Sequence, residues 1–360
     1  MRILVVSHPP LTAELGAAQI ALALAAALRE RGHDALAWSP EPLPPDTRWW
    51  NLQQRQTEGI ERFAAAEGPF DIIDTPAISA SRKLARHGKL VVRSIQPELL
   101  YLWQDVRSDL ARRWVPSPRS AVQAAMAPRR AGAILAGWSR ARLILCMGSI
   151  ELAWMLRHFP RWRSKLGSYV CAPSPGERSA LLAVRRSRPA APPDRQGIRF
   201  LWIGRWAAHK GTRRLARWIA ERAATVSRDT FTLAGCGRAA ERDLPPEWLR
   251  SGRVRIVPSF PRSGLPALLA EHDAGVFTST VEGWGLSLNE MLEAGLPVFA
   301  TEAGAVPDLR PFFPRSLLSF PPPASIEPWP DREDLEAGGY LARFDWAAVA
   351  SSYEEAVLAS

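Results

Sequence analysis

Two glutamates in the C-terminal half of the chain, Glu282 and Glu290, are separated by seven residues and flank a turn that contains Gly283 and Gly285. Glycine lets a ligand approach the backbone closely. The apolar residues that follow predict a helix from near Ser287, with its first amides pointing back toward the turn. Carboxylates and helix-start amides together can bind a polyhydroxylated anion through its hydroxyls and its phosphate. The alternative is that the helix dipole alone favours acidic residues there.

Short apolar runs lie on both sides of this segment. Residues 274–278 before it and residues 297–300 after it each predict a buried strand. A strand, a glycine turn, a helix and a second strand form a βαβ unit, whose ligands bind beyond the carboxyl ends of the strands. We therefore expect Glu282 on the loop and Glu290 in the first turn of the helix, both at a ligand-binding edge.

A basic cluster follows another strand, which is predicted over residues 200–203. Gly204 ends this strand, Arg205 and Lys210 lie in the next loop, and a helix is predicted over residues 212–224. Only four of the 46 basic residues are lysines, and the lysine ammonium is a compact charge that suits phosphate. Chance placement of one of these lysines is the alternative. The cluster predicts a diphosphate site at the carboxyl end of the strand.

The whole chain alternates short apolar strands with helical stretches over 360 residues, of which 47% are hydrophobic. This pattern predicts two α/β domains, each with a doubly wound parallel sheet. Residues 173–197 are rich in proline and arginine without periodicity, which predicts a linker. We therefore expect an N-terminal domain over residues 1–172 and a C-terminal domain over residues 198–343. Residues 313–339 are proline-rich and predict a surface loop.

Several segments together resemble the retaining GT-B glycosyltransferases of family 4, and the resemblance covers most of the chain. It rests on the first strand with Leu15-Gly16 and a helix ending at 29–33, Phe70 to Asp74, Ile203 to Arg205 with Lys210-Gly211, and Glu282 to Glu290. The last two segments are the more specific. The resemblance implies two Rossmann-like domains that face each other across a cleft. It also implies that the C-terminal helix, residues 344–360, packs back on the N-terminal domain.

The resemblance also implies roles for the residues already named. Arg205 and Lys210 would hold the donor diphosphate, Glu282 would contact hydroxyls of the donor sugar, and Glu290 would hold the ribose hydroxyls. Arg205, Lys210 and Glu282 would form the catalytic set. The other positions expected at the nucleotide site are Gly16, Gly204, Gly283, Gly285, Leu286, Ser287 and Leu288. The implied reaction transfers a sugar from a UDP- or GDP-sugar to a glycan or lipid-linked acceptor, in bacterial surface polysaccharide or glycolipid synthesis.

No metal or other cofactor is expected for this reaction. Arg205, Lys210 and a helix dipole would stabilise the negative charge that grows on the departing diphosphate. The chain has no Asp-x-Asp loop. Its histidines lack the spacing of metal ligands, and they are His8, His33, His87, His158, His209 and His272. His209 is expected to be a loop residue rather than a base.

Two positions depart from the family pattern. The family often carries a histidine at an N-terminal-domain strand end, near the donor sugar, whereas residues 91–98 contain none. Arg93, Gln96 or Glu98 could take its place, or the acceptor could supply the missing contact. Leu15 stands where a glycine is more usual, and its side chain would narrow the phosphate loop.

The chain carries a net charge of +10. An arginine-rich and alanine-rich composition can follow from genome base composition alone. Residues 103–142, however, interleave arginines with tryptophans, a combination that suits a membrane interface. We therefore predict an anionic membrane surface as a partner. The competing interpretation is that these arginines bind a phosphorylated or acidic acceptor directly. Nucleic acid is not expected, because no helix-turn-helix, zinc or ribonucleoprotein signature occurs.

The expected location is the cytoplasm, with peripheral association at the inner face of the cytoplasmic membrane. No segment reaches the roughly 18 apolar residues of a spanning helix. Residues 17–28 predict a core helix rather than a signal peptide, and three widely spaced cysteines fit a reducing compartment. Two other functions stay open: a GT-B protein that binds a nucleotide sugar without transfer, and a nucleotide-sugar epimerase.

Overall fold

The structure is a computed structural model that describes residues 1–12, 14–104, 118–190, 197–226, 228–327 and 329–360. The chain divides into two units. Unit 1 comprises Met1–Ala172 and Arg343–Ser360, and unit 2 comprises Pro173–Ala342. Each unit is built on its own six-stranded sheet, in which every described strand pair is parallel. The prediction of two parallel α/β sheets is therefore confirmed.

The strands are short and mostly buried on both faces, as expected for a parallel sheet covered by helices. They are β1 (Arg2–Val6), β2 (Asp34–Trp38), β3 (Ile72–Thr75), β4 (Lys89–Arg93), β5 (Leu143–Met147), β6 (Leu166–Tyr169), β7 (Arg199–Ile203), β8 (Thr230–Ala234), β9 (Val254–Val257), β10 (Ala274–Phe277), β11 (Val298–Ala300) and β12 (Leu317–Ser319). The order in unit 1 is β2-β1-β3-β4-β5-β6, and the order in unit 2 is β12-β11-β10-β7-β8-β9.

The helices connect successive strands within each unit. They are α1 (Gly16–Glu30), α2 (Leu52–Glu67), α3 (Pro118–Arg140), α4 (Gly148–His158), α5 (Pro175–Ser187), α6 (Thr212–Thr225), α7 (Ala239–Asp243), α8 (Pro246–Arg250), α9 (Leu265–Ala270), α10 (Leu286–Glu293), α11 (Val306–Leu309), α12 (Tyr340–Arg343) and α13 (Trp346–Ala359). None of these described helices combines the length and the apolar character that crossing a bilayer requires.

Each unit has an apolar core on the faces of its own sheet. In unit 1, α1 packs against β2 and against the C-terminal helix α13. In unit 2, β7 and β8 carry Phe200 and Phe231, whose rings stack at a centroid distance of 5.7 Å. The Trp218 ring meets the Phe200 ring edge-on at 5.1 Å. Such aromatic contacts add to the free energy gained by burial alone, so this cluster fixes the sheet that carries the candidate site.

The predicted linker over residues 173–197 is wrong in part, because the structure has helix α5 there. Ser174 and Glu177 form a capping box at its start, and the helix buries Leu181 and Val184. The Ser-x-x-Glu spacing is the signature of such a start, but the surrounding prolines and arginines obscured the apolar stripe. Residues 191–196 of the segment lie outside the described residues.

The proline-rich stretch over residues 313–339 also differs from the predicted surface loop. It contains β12, which pairs with β11 at the edge of the unit 2 sheet. Three residues are too few for a periodic pattern to stand out from the prolines around them. The strand therefore depends on the edge that β11 offers for pairing.

Candidate functional site

The carboxyl ends of β7 and β10 lie side by side in the middle of the unit 2 sheet. The order of the strands reverses between these two strands, and ligands of open α/β sheets bind at such a topological switch point. The loop after β7 carries Arg205 and Lys210, and the loop after β10 carries Glu282. The topology therefore brings the two predicted clusters to one edge of the sheet.

Lys210 and Glu282 form an ion pair at this edge, in which the ammonium of Lys210 donates to Oε2 of Glu282. The hydroxyl of Ser279 donates to the same oxygen at 3.0 Å. The side chains of Lys210 and Glu282 are 15% and 7% exposed. Burial raises the pKa of Glu282, but Lys210 and the hydrogen bonds outweigh burial and hold it below its usual value. The site therefore keeps an ionised carboxylate beside a cation.

A glycine and a threonine hold the two loops together. Gly211 has a φ of +69°, and a Cβ atom at this position would lie 1.8 Å from the carbonyl oxygen of Thr278. The hydroxyl of Thr278 donates to the carbonyl of Lys210 at 2.8 Å. The indole N–H of Trp202 donates to the same hydroxyl at 3.1 Å. Only glycine permits this approach, so Gly211 is the residue that sets the position of the Lys210 backbone.

Helix α10 begins at the glycine turn, with Gly285 at a φ of +87°. The amide of Leu288 donates to the carbonyl of Gly285 at 2.9 Å, so this predicted phosphate-binding amide is already used inside the helix start. Among the described residues, no acceptor takes a hydrogen bond from the amides of Leu286 or Ser287. These two amides are the ones that α10 offers to an anion.

Glu290 lies in the second turn of α10 and not in the first, because the helix begins at Leu286. The residue is 1% exposed. The Nη2 atom of Arg262 donates to Oε1 of Glu290 at 2.5 Å, and the same guanidinium binds Glu177 at 2.8 Å. The sequence pattern did not indicate Arg262 as a site residue. The available signal was a lone cation after the carboxyl end of β9, which is the ligand edge of the sheet.

Trp284, between Gly283 and Gly285 in the turn, is a buried residue. It is 2% exposed, and its indole N–H donates to Oδ1 of Asn289 at 2.7 Å. The far end of α10 is anchored through Glu293, which accepts from Tyr340 at 2.7 Å and from Arg178 at 2.9 Å. These buried contacts fix the orientation of α10 in unit 2.

The remaining predicted residues of unit 2 lie on the same loops. Gly204 directly follows β7, and the exposed Arg205 follows it. Gly283 is buried beside Glu282. His209 is 1% exposed, and burial, reinforced by Lys210, lowers its pKa to about 4. Its imidazole is therefore neutral at physiological pH and belongs to the loop that carries Lys210.

Residues 197–311, which contain all of these loops, match the profile of the family described as glycosyl transferases group 1. The match covers the segment that carries Arg205, Lys210 and Glu282. A comparison with curated proteins finds no matching sequence.

Solved structures of glycosyltransferases resemble the whole chain. Sucrose-phosphate synthase from Thermosynechococcus elongatus is 16% identical, with 99% of this chain and 94% of that chain covered and a TM-score of 0.63. WaaG, a glycosyltransferase involved in lipopolysaccharide biosynthesis, is 14% identical over 98% of this chain and 95% of that chain, with a TM-score of 0.57. HepE from Anabaena, in complex with UDP and glucose, is 16% identical over 100% of this chain and 95% of that chain, with a TM-score of 0.54. The chain has the GT-B fold.

In unit 1 of this GT-B protein, the switch point lies between β1 and β3. Gly16 is the first residue of α1, and Leu15 before it is 41% exposed. His8 follows β1, and its Nε2 lies 2.9 Å from the hydroxyl of Ser79. Burial lowers the pKa of His8 to about 4. Unit 1 therefore does hold a neutral histidine at a strand end, although not within residues 91–98.

The three residues considered as replacements for the family's histidine have different surroundings in unit 1. Arg93 is 1% exposed, and its Nε donates to both oxygens of Asp74 at 3.0 and 3.1 Å. Its Nε is held in that buried pair, and Arg93 stays an untested candidate. Burial raises the pKa of Glu98 to about 8. The carbonyl of Gln96 accepts from the Ser94 hydroxyl at 2.8 Å.

The predicted membrane-facing stretch, residues 103–142, is described only in part, because residues 105–117 lie outside the described residues. Trp103 is 67% exposed. Trp138 is 3% exposed and belongs to the core of unit 1, so its expected place at an interface is wrong. Arg140 donates to the carbonyl of Ala80 at 3.1 Å. Contact of the protein with a membrane stays a prediction.

No group of three or more histidine, cysteine, aspartate or glutamate side chains in the described part of the chain is arranged to hold a metal ion.

Proposed function

We propose that the protein is a retaining, metal-independent glycosyltransferase that moves a sugar from a nucleotide-sugar donor to a glycan or lipid-linked acceptor. The observation that carries this proposal is the Lys210–Glu282 ion pair at the switch point of unit 2. The family match covers this pair, Arg205 and the start of α10. Within the matched segment, Lys210 as a cation for phosphate thus lies beside Glu282 as a carboxylate for hydroxyls.

The geometry suits the electrostatic demand of glycosyl transfer. When the bond to the anomeric carbon breaks, positive charge grows on the sugar and negative charge grows on the diphosphate. Lys210, Arg205 and the open amides of Leu286 and Ser287 would stabilise that diphosphate, and preorganised donors act most strongly where charge develops. Glu282 would orient the donor sugar through its hydroxyls. Glu290 would hold the ribose.

Two of the similar structures guide the choice of substrates. HepE was solved with UDP and glucose, and WaaG is involved in lipopolysaccharide biosynthesis. We therefore place UDP-sugars first and GDP-sugars second as donors, and a bacterial surface glycan or glycolipid as the acceptor.

A donor screen tests the proposal. The protein is incubated with a panel of UDP-, GDP- and ADP-sugars without acceptor, and the products are followed by NMR. We expect slow hydrolysis of one donor, with the released sugar first appearing in the anomeric configuration of the donor. Binding without cleavage would favour a sugar-nucleotide-binding protein, and an isomerised donor would favour an epimerase. Absence of binding at millimolar concentration would reject all three.

Replacing the sugar-orienting carboxylate tests its assigned role. We expect Glu282→Gln to lower kcat by about 100-fold with little change in the donor KM, because an interaction that strengthens in the transition state affects turnover more than binding. Steady-state kinetics with the donor selected by the screen measure both constants. Glu302→Gln is the matched control, because Glu302 forms an exposed ion pair with Arg310 in the same unit. Equal rates for both variants and the wild type would contradict the role of Glu282.

A further inference from the structure

Arg262 joins three elements of unit 2 at the ribose-side carboxylate. It lies in the turn after β9, and its Nη2 atom donates to Oε1 of Glu290 in α10 at 2.5 Å. Its Nε and Nη2 atoms both lie 2.8 Å from Oε1 of Glu177 in α5. The Arg262 side chain is 18% exposed and the Glu290 side chain is 2% exposed. A mostly buried guanidinium that binds two carboxylates in a fixed fork has little freedom to rotate.

The second carboxylate is itself held by the start of α5. Oε2 of Glu177 accepts from the Ser174 hydroxyl at 2.9 Å and from the Ser174 amide at 3.4 Å. One Glu177 oxygen thus completes a capping box, while the other receives Arg262. This chain of contacts orients Arg262 through Glu177. Arg262 in turn binds the first oxygen of Glu290, Oε1.

The charges around Glu290 make its ionisation depend on Arg262. Burial raises the pKa of Glu290, and the nearby carboxylates of Glu177 and Glu293 raise it further. The Arg262 guanidinium offsets part of this increase through its charge and its hydrogen bond, and the pKa of Glu290 stays above its usual value. Arg178 forms an ion pair with Glu293 at 2.9 Å. Without Arg262, its guanidinium would no longer oppose the effects of Glu177 and Glu293 on Glu290.

We propose that Arg262 is a positioning residue that holds Glu290 as an ionised acceptor for the ribose 2′- and 3′-hydroxyls, so that the site selects ribonucleotides over 2′-deoxyribonucleotides. This inference rests on the proposed function, in which Glu290 meets the ribose. A charged acceptor forms stronger hydrogen bonds than a neutral one. A site built to pair with a hydroxyl also rejects an analogue that lacks it.

Titration calorimetry with UDP and 2′-deoxy-UDP at pH 6 and pH 8.5 tests the inference, with GDP and 2′-deoxy-GDP as a second pair. We expect the wild type to prefer the ribonucleotide by about 10-fold at both pH values. In Arg262→Met, burial and the two neighbouring carboxylates raise the pKa of Glu290 unopposed. A larger fraction of Glu290 is then protonated at the lower pH than at the higher one. We therefore expect a preference of about 2-fold at pH 6 that increases toward the wild-type value at pH 8.5.

Two further arginine variants separate charge from packing. Arg262→Lys keeps a cation and should restore part of the preference at pH 6. Arg255→Met is the matched control, because Arg255 in β9 forms an exposed ion pair with Glu271 at 2.7 Å, and we expect it to behave like the wild type. If Arg262→Met does not fold, Arg262→Gln is titrated in its place.

The outcomes distinguish the inference from the proposed function. If the wild type binds neither UDP nor GDP, the proposed function fails. If the wild type binds and discriminates but Arg262→Met keeps the full preference at pH 6, the role of Arg262 is overturned. The same conclusion follows if Arg262→Lys loses as much preference as Arg262→Met, because packing and not charge would then be responsible.

Discussion

Lys210→Met should lower kcat/KM for the donor by about 100-fold to 1,000-fold, which corresponds to roughly 3 to 4 kcal/mol of transition-state stabilisation. The proposed role of Lys210 is to meet the negative charge that grows on the diphosphate. The ammonium is only 15% exposed, so water screens it weakly and its effect on that charge is large. Methionine preserves most of the side-chain length and removes the charge.

The same substitution should change the pH dependence of the remaining activity. Lys210 holds the pKa of Glu282 below its usual value, so the wild-type carboxylate stays ionised until the pH falls below the usual range of a glutamate. Without Lys210, burial raises the pKa of Glu282. The loss of activity on acidification should then begin at a higher pH than in the wild type.

Steady-state kinetics across a pH series measure both effects of Lys210→Met. Lys83→Met is a suitable control, because Lys83 is 75% exposed and pairs with Glu61 on the surface of unit 1. Lys210→Arg keeps the charge and should lose less activity than Lys210→Met. A Lys210→Met enzyme within a few-fold of wild-type kcat/KM would show that Lys210 does not contact the diphosphate in the transition state.

Gly211→Ala should destabilise unit 2 by about 3 kcal/mol and abolish donor binding together with it. The positive φ of +69° costs an alanine roughly 1 to 2 kcal/mol. The added Cβ would also lie 1.8 Å from the Thr278 carbonyl oxygen. The loop that carries Lys210 must therefore move away from the loop after β10, and the hydrogen bond from Thr278 to the Lys210 carbonyl is lost.

Gly237→Ala separates the cost of the positive φ from the cost of the contact with Thr278, because only the first applies at Gly237. Gly237 has a similar φ of +62°, but a Cβ atom there would meet nothing within 4 Å. We expect this control to cost about 1 kcal/mol and to retain donor binding. Denaturant unfolding gives the free energies, and calorimetry with UDP or GDP gives the binding. Equal destabilisation by the two substitutions would rule out the contact between the loops as the cause.

The sequence by itself determined the class of fold and the edge of the sheet that carries the site. Apolar runs of strand length, such as residues 274–277, alternate with helical stretches in the sequence. The structure has parallel strands and helices in the same alternation. Glycines and charged residues directly after those runs mark the carboxyl ends of the strands. For this reason Arg205, Lys210 and Glu282 could be assigned to one edge before their contacts were known.

Only the tertiary structure decided which charged groups meet. Lys210 and Glu282 are 72 positions apart, and Arg262 meets Glu177 at a separation of 85 positions. Such pairings depend on the order of strands in the sheet, which local periodicity does not encode. The same limit explains why the burial of Trp138 and the pairing of Arg93 with Asp74 could not be predicted. A side chain's exposure and partner are set by the elements that pack over it, whereas its neighbours in sequence set only the helix, strand or turn to which it belongs.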